Sequence, residues 1–510
     1  MLPAVLLAAV YLIWSPPSAD LAAQSFRVDL FEAYGFEAWS SAWYGGIHPP
    51  GYSLIFPPLA ALFGERVVGA VSAVAATWLF GALVRPRYGD RARLAIWLFG
   101  IGSATSLFTG RLTFALGVAI ALAGLLALDR RHLALGAGLA ALSAWASPVA
   151  GLFVAFAGGV LFLCGRRRDG VLLAAPAVVA VGVLVLAFPG GGMEPFAGNT
   201  FFLIVAATAI LALLLPRDER LVRTGAVLYA AMCLALFLVD TPIGGNATRL
   251  GALVAAPLLA LGAWGRRPAG LVALALVPLL YWQWVAPVRD LADAVGEPSV
   301  EKSYYEPLLA ELERRGPDEA FRVHIPPTRN RWEATFVGER FELARGWLRQ
   351  AEADDFELFR DGNLDAAEYR AWLDERAVAF VAISTGAEPD YLSEDEIALV
   401  RSGPSFLDEV WSDEQWMLYE VADPAPLAPF PATLERNGFT IYAGETEGEV
   451  PVAVRFSPYF RFVTGSGCLR EADDWTVVEP RGAGPIAVEA DLTVAGMARA
   501  LTRRGEVCSD

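Results

Sequence analysis

Seven residues in the first half of this 510-residue chain carry side chains suited to one kind of chemistry: Asp20, Asp29, Glu32, His48, Tyr52, Arg111 and Arg249. A carboxylate can take a proton from a hydroxyl, and a guanidinium or imidazole can stabilise a departing phosphate. On that basis Asp20 and Asp29 are the candidate bases and His48, Arg111 and Arg249 the candidate phosphate ligands, with Glu32 and Tyr52 as candidate substrate contacts. Each also has a plainer reading. Asp20 can solvate a helix end, Asp29 and Glu32 can form the polar face of an amphipathic helix, and His48 can tie down its own turn. The arginines can snorkel to lipid headgroups. No ligand set for a metal is evident.

The elements that must position these residues are apolar. The chain is 55% hydrophobic, in blocks of the ~17 to 20 residues that a bilayer crossing needs. About eleven helices are expected, at 2–18, 66–84, 94–109, 112–128, 133–147, 149–165, 171–187, 200–215, 222–239, 250–264 and 268–286. Arginines cluster in five of the short connections: 85–93, 130–131, 166–168, 217–223 and 266–267. The positive-inside rule makes all five cytoplasmic. The stretch 133–164 must then leave and return, with Ser147–Gly151 as its outer turn. This places the N-terminus inside, the residues after 290 outside, and 19–65 outside as one long loop. Arg111 and Arg249 lie at outer helix ends, against the charge bias that places the other arginines. Glu194 and Asp240 read as solvated acids of outer loops.

The long loop interleaves aromatics (Phe26, Phe31, Tyr34, Trp39, Trp43, Tyr44) with acids, as expected of short helices lying on a membrane with Trp and Tyr as interfacial anchors. It closes on "WYGGIHPPGYS", where prolines and glycines turn the chain back toward the bilayer at Tyr52–Leu62. An acid just after the first helix (Asp20), then an amphipathic outer loop, then His48-Pro49-Pro50 with the aromatic Tyr52, and a run ending Leu62-Phe63-Gly64, resembles the GT-C superfamily of integral membrane glycosyltransferases. The resemblance covers roughly residues 1–290. It implies a GT-C-like helical fold and transfer of a sugar from a polyprenyl-phosphate carrier to an envelope glycan, lipid or protein on the outer face of a prokaryotic plasma membrane. Many relatives place a second acid directly beside the first, but Asp20 is followed by Leu21. The choice of base and any requirement for a divalent cation therefore stay open.

Charge divides the chain. Residues 1–289 carry 19 basic and 12 acidic side chains and residues 290–510 carry 21 and 44, a balance of +7 against −23. An acidic, charge-rich tail argues against nucleic acid as a partner. The expected domains are a membrane domain (1–289, including loop 19–65), an extracytoplasmic α/β region (290–432) and a β-rich, sandwich-like region (433–510). In the α/β region, Asp365–Ala377 has helical spacing, Val378–Ser384 reads as a buried strand, and Ser393 with Glu396 matches a capping box. Val410–Val421 reads as a hairpin. His324–Trp347 reads as a structural turn, with glycan binding as the alternative. If the tail is extracytoplasmic, Cys468 and Cys508 can pair. Two further classes of function stay in view, a transporter or flippase of anionic lipid-linked substrates and a non-enzymatic envelope scaffold. Polar residues gathered at one membrane boundary, without charge through the helix cores, favour the transferase. The identity of the sugar, the carrier length and the acceptor are not encoded in any motif of the chain.

Overall fold

A computed structural model describes every residue except 317–319, 353–357, 360–363, 445–447, 503–504 and 510. Its contacts divide the chain into two compact units. The first comprises Met1–Gln24, Tyr52–Leu184 and Gly191–Val295, and the second Ser25–Gly51, Val185–Gly190 and Gly296–Asp510.

The first unit is all helical, and each of the eleven apolar segments falls on a helix. Six helical segments are long and apolar enough to cross a membrane, or seven if the pair Leu2–Trp14 and Ala19–Tyr34, bent by 72°, is one span. Leu133–Ala146, Pro148–Leu163 and Gly198–Leu214 are shorter apolar helices. The first helix ends four residues sooner than expected, because Ser15 adopts a left-handed conformation that closes it. Ser147 separates two helices as anticipated, its Oγ accepting from the Ala150 amide at the start of the second. Helices approach closely where side chains are smallest. A Cβ placed on Gly158 would lie 2.6 Å from the Gly170 carbonyl oxygen, so only glycine permits that contact. Some arginines of the connecting loops are ion-paired: Arg166 with Asp169 (2.8 Å), and Arg266 with Asp218 (2.6 Å) and Glu219 (3.1 Å).

Among the described residues the second unit holds three four-stranded sheets. One takes the order Arg322–His324, Val378–Ser384, Trp416–Val421, Leu407–Ser412. Its first pair is parallel and the others antiparallel, the last being the anticipated hairpin. The helix Ala366–Glu375 precedes the buried strand, capped by Asp365, whose carboxylate accepts from the Ala367 amide at 2.7 Å. The capping box at Ser393 does not form. Ser393 Oγ donates to the Pro327 carbonyl (3.1 Å), and Glu396 turns inward to His324 and Arg345, because the buried guanidinium and the imidazole beside it hold a carboxylate more strongly than an exposed amide does. The other two sheets are antiparallel and bury alternate residues, among them Phe439, Ile441, Ile486 and Val488 in one and Val452, Leu469 and Val478 in the other.

The segment Ser25–Gly51 corrects the expectation of a loop lying on the membrane with aromatic anchors. Trp39, Trp43 and Tyr44 are buried in the second unit. Trp43 stacks on Phe26 with centroids 4.0 Å apart and donates to the Ala334 carbonyl at 2.8 Å. The Tyr44 amide donates to Leu343, and the Arg455 amide donates to Gly45. These rings are too large and too well matched to that interior to stay at an interface. His324–Trp347 is likewise structural: His324, Arg331 and Trp332 are buried, and Trp332 stacks on Phe336.

Cys468 and Cys508 are disulfide-bonded and face each other across paired strands. Reduction of this bond, which closes a loop of 40 residues, is expected to cost about 2–4 kcal/mol. The check is a lower urea midpoint for the tail tryptophans in reductant, an effect that Cys508→Ser should abolish.

Candidate functional site

The site begins at a turn. After the helix Ala92–Phe108, Thr109-Gly110-Arg111 reverses the chain into the helix Leu112–Asp129. Gly110 has φ +74°, and a Cβ there would overlap the Leu21 backbone nitrogen and the Ser18 hydroxyl. Glycine therefore lets the turn press onto the first residues of the helix Ala19–Tyr34. That contact carries Arg111 to Asp20, with Nε donating to Oδ2 at 2.5 Å, both side chains partly exposed. The ion pair uses one guanidinium nitrogen, and the two terminal nitrogens of Arg111 make no hydrogen bond among the described residues.

Arg249 enters from the helix Thr248–Ala263, its guanidinium 5.8 Å from the Phe114 ring centroid. Its charged and polar neighbours are Arg111, Asp20, Tyr52 and Glu194. Among the described residues it has no hydrogen bond or ion pair. Glu194 is tied down where its amide donates to the Thr241 carbonyl (3.1 Å), which joins the segments before the helices Gly198–Leu214 and Thr248–Ala263. Tyr52 is held by Gln24, whose Nε2 donates to its hydroxyl at 3.1 Å and lies 3.5 Å from the Asp20 carbonyl oxygen. Asp20, Tyr52, Arg111 and Arg249 thus converge.

Asp290, a second carboxylate within electrostatic reach of Arg111, was not among the candidates expected from the sequence. The last apolar helix was expected to stop at 286 but continues to Ala294, which keeps Asp290 on a helix rather than in the tail. A signal was available in helical periodicity continuing through "VRDLADA".

Asp29, Glu32 and His48 belong to the second unit. Asp29 lies nine residues beyond Asp20 on the same helix, about two and a half turns, which puts the two carboxylates on opposite faces. Glu32 is exposed. His48 has both ring nitrogens engaged, Nδ1 with the Pro189 carbonyl and Nε2 with Ser457 Oγ, each at 3.1 Å. A carbonyl can only accept, so Nδ1 carries the proton and Nε2 accepts from the serine hydroxyl. Burial lowers its pKa from 6.5 to about 4, against the opposing pull of the Pro189 carbonyl. The ring is neutral at pH 7 and fastens the "HPP" turn to two other segments of its unit.

A pH prediction follows from that shift. Between about pH 6.5 and 4 the unfolded chain binds a proton at His48 that the folded chain refuses, so stability falls as the solution is acidified. The contribution lost is about 1.4 kcal/mol per pH unit. His48→Gln should be less stable than the wild type at pH 7.5, and the gap should narrow toward pH 4.5 in chemical unfolding curves. A gap that stays constant with pH would remove the buried neutral imidazole.

Fold and site together define a multi-pass membrane protein with a β-sheet-rich C-terminal part and a partly exposed Asp–Arg–Arg cluster at the start of its apolar helices. No family model matches the chain, and no curated protein matches it. Among solved structures it is similar to membrane glycosyltransferases of the GT-C superfamily. They include the arabinofuranosyltransferase AftD from Mycobacteria (17% identity, 82% of this chain and 40% of that one, TM-score 0.44). A second is ArnT from Cupriavidus metallidurans bound to undecaprenyl phosphate (14%, 82% and 98%, 0.42). A third is the oligosaccharyltransferase of Archaeoglobus fulgidus (11%, 83% and 74%, 0.44). The chain spans well under half the length of AftD. All three TM-scores lie below 0.5, so the functional reading rests on this chain's own residues.

Proposed function

We propose that the chain is a membrane glycosyltransferase that moves a sugar from a polyprenyl-phosphate carrier to an envelope glycan, lipid or protein on the outer face of the plasma membrane. The observation that carries this is Arg249 within electrostatic reach of the Arg111–Asp20 pair. Two like charges lie within electrostatic reach of each other, and among the described residues both have donors that make no hydrogen bond. Guanidinium donors left unused at a lipid boundary are costly there and favour an anion such as a phosphate, which takes paired donors.

In this reading Asp20 takes the proton from the acceptor hydroxyl through Oδ1, which accepts no hydrogen bond among the described residues. The acceptor oxygen bonds to the anomeric carbon as the bond from that carbon to the carrier phosphate oxygen breaks. The phosphate leaves with the electron pair, and Arg111 and Arg249 stabilise its charge. Tyr52, oriented by Gln24, is the substrate contact. The topology that goes with this has eleven crossings, the N-terminus inside and the tail outside. The Cys468–Cys508 disulfide supports an oxidising compartment for the tail.

The test is sugar transfer by purified protein in liposomes with a panel of polyprenyl-phosphate sugars. Turnover with one donor is the expected result. No turnover with any donor, together with movement of labelled lipid between leaflets, would replace the transferase by a transporter.

A further inference from the structure

We infer that the outward face of the C-terminal helix Val494–Thr502 rests on the lipid bilayer surface, at the end of the apolar helix Arg167–Ala187. This depends on the reading that Arg167–Ala187 crosses the membrane. The inner face of the C-terminal helix is well anchored. Gly496 and Ala500 are buried, and a Cβ on Gly496 would sit 3.1 Å from the Tyr459 ring. Arg499 is turned inward, donating to the carbonyls of Pro458 (2.9 Å) and Phe460 (3.3 Å). Tyr459 links this helix to the apolar one. Its hydroxyl donates to the Ala187 carbonyl at 3.0 Å and lies 3.5 Å from Met497 Sδ, while its ring stacks on Phe188.

The outer face is apolar as well. Val494 is 89% exposed and Leu501 40%, and Ala495 and Ala498 between them are also exposed, at the spacing of one helical stripe. Leu492 extends it. A helix at the surface of a soluble domain shows charge on that side, yet its one arginine among the described residues is committed to the opposite side. A face without charge, fastened to the last residue of an apolar helix whose Val185 and Leu186 are themselves exposed, continues the surface those residues present to lipid. The occupant this favours is the bilayer.

The experiment uses the full chain with Cys164→Ala, which removes the exposed free thiol. Bimane is attached at Val494→Cys, or at Ala498→Cys should the first fold poorly, in phosphatidylcholine/phosphatidylglycerol vesicles. Tyr442→Cys, at an exposed position on the strand Gly438–Ala443, is the aqueous control, and Val179→Cys, exposed within Arg167–Ala187, the lipid control. Labels at 494 and 498 should lose fluorescence to brominated acyl chains and resist iodide, with the reverse at 442. Iodide quenching at 494 and 498 equal to that at 442 would overturn the inference, as would shielding from both quenchers, which would mark a protein partner such as a second copy. If the label at 179 also escapes the brominated lipid, the spanning helix itself is wrong. If only 494 and 498 escape, the fault lies with the docking surface.

Discussion

Asp20→Asn is expected to lower turnover of the lipid-linked donor by ~10²–10⁴-fold, the range that loss of a positioned general base produces. Asparagine keeps the size of the side chain and an oxygen for Arg111 Nε, so the turn at Gly110 should be undisturbed. Affinity for the carrier phosphate should hold or improve, because Arg111 is relieved of its counter-charge. Arg249→Ala should behave differently. It removes a cation that has no hydrogen bond or ion pair among the described residues, so it should raise KM for the donor and also lower kcat, by about 10²–10³-fold if its donors meet the charge that develops on the leaving phosphate. Arg249→Lys should recover binding better than turnover, since an ammonium keeps the charge but not the paired donors. The measurement is initial rate against donor concentration in liposomes, with carrier phosphate binding measured separately. Wild-type turnover in Asp20→Asn would transfer the role of base to another carboxylate, Asp290 being the nearest in charge to Arg111. Unchanged donor affinity in Arg249→Ala would remove the phosphate site.

The second large effect is structural. Glu396, His324 and Arg345 form a buried polar cluster whose side chains are 0%, 0% and 3% exposed. Glu396 Oε1 meets His324 Nε2 in a short contact, and Oε2 accepts from Arg345 Nη1 at 3.3 Å. Burial alone would raise the Glu396 pKa, but His324 and Arg345 outweigh it and hold the carboxyl below its ordinary value. Removing one member of such a set leaves buried charge without its counterpart, at a cost of about 3–5 kcal/mol. Glu396→Ala should therefore lower the unfolding midpoint of the tail more than any loop substitution. Glu396→Gln should do so less, because it retains a hydrogen bond to Arg345. The double variant Glu396→Gln, Arg345→Met should be more stable than Glu396→Ala, since the stranded cation is gone. Equal midpoints for Glu396→Ala and the wild type would mean that the cluster contributes nothing net. The carboxylate's contribution is present above pH 4.5 and lost as pH falls through its lowered value, the same acid direction as at His48.

Residue type and periodicity alone located the apolar helices, a hairpin at Val410–Val421 whose first strand in fact begins at Leu407, the buried strand Val378–Ser384 and the helix that follows Asp365, because those features depend on neighbours within a few positions. They also marked Arg111 and Arg249, since each lies at the end of an apolar segment away from the five arginine clusters. What only the tertiary structure decided depends on partners distant in sequence. Trp39 and Trp43 have the same composition signal whether they lie on lipid or inside a fold, and it took Phe26, Ala334 and Phe460 to bury them. Ser393 and Glu396 satisfy a local capping pattern, but His324 and Arg345 outbid the helix amides for the carboxylate. Asp20 and Arg111 are 91 residues apart, and nothing near either one announces the pair. It is the absent side chain of Gly110 that lets one turn press against a helix start, and a site made by close backbone approach leaves no trace in the charges that compose it.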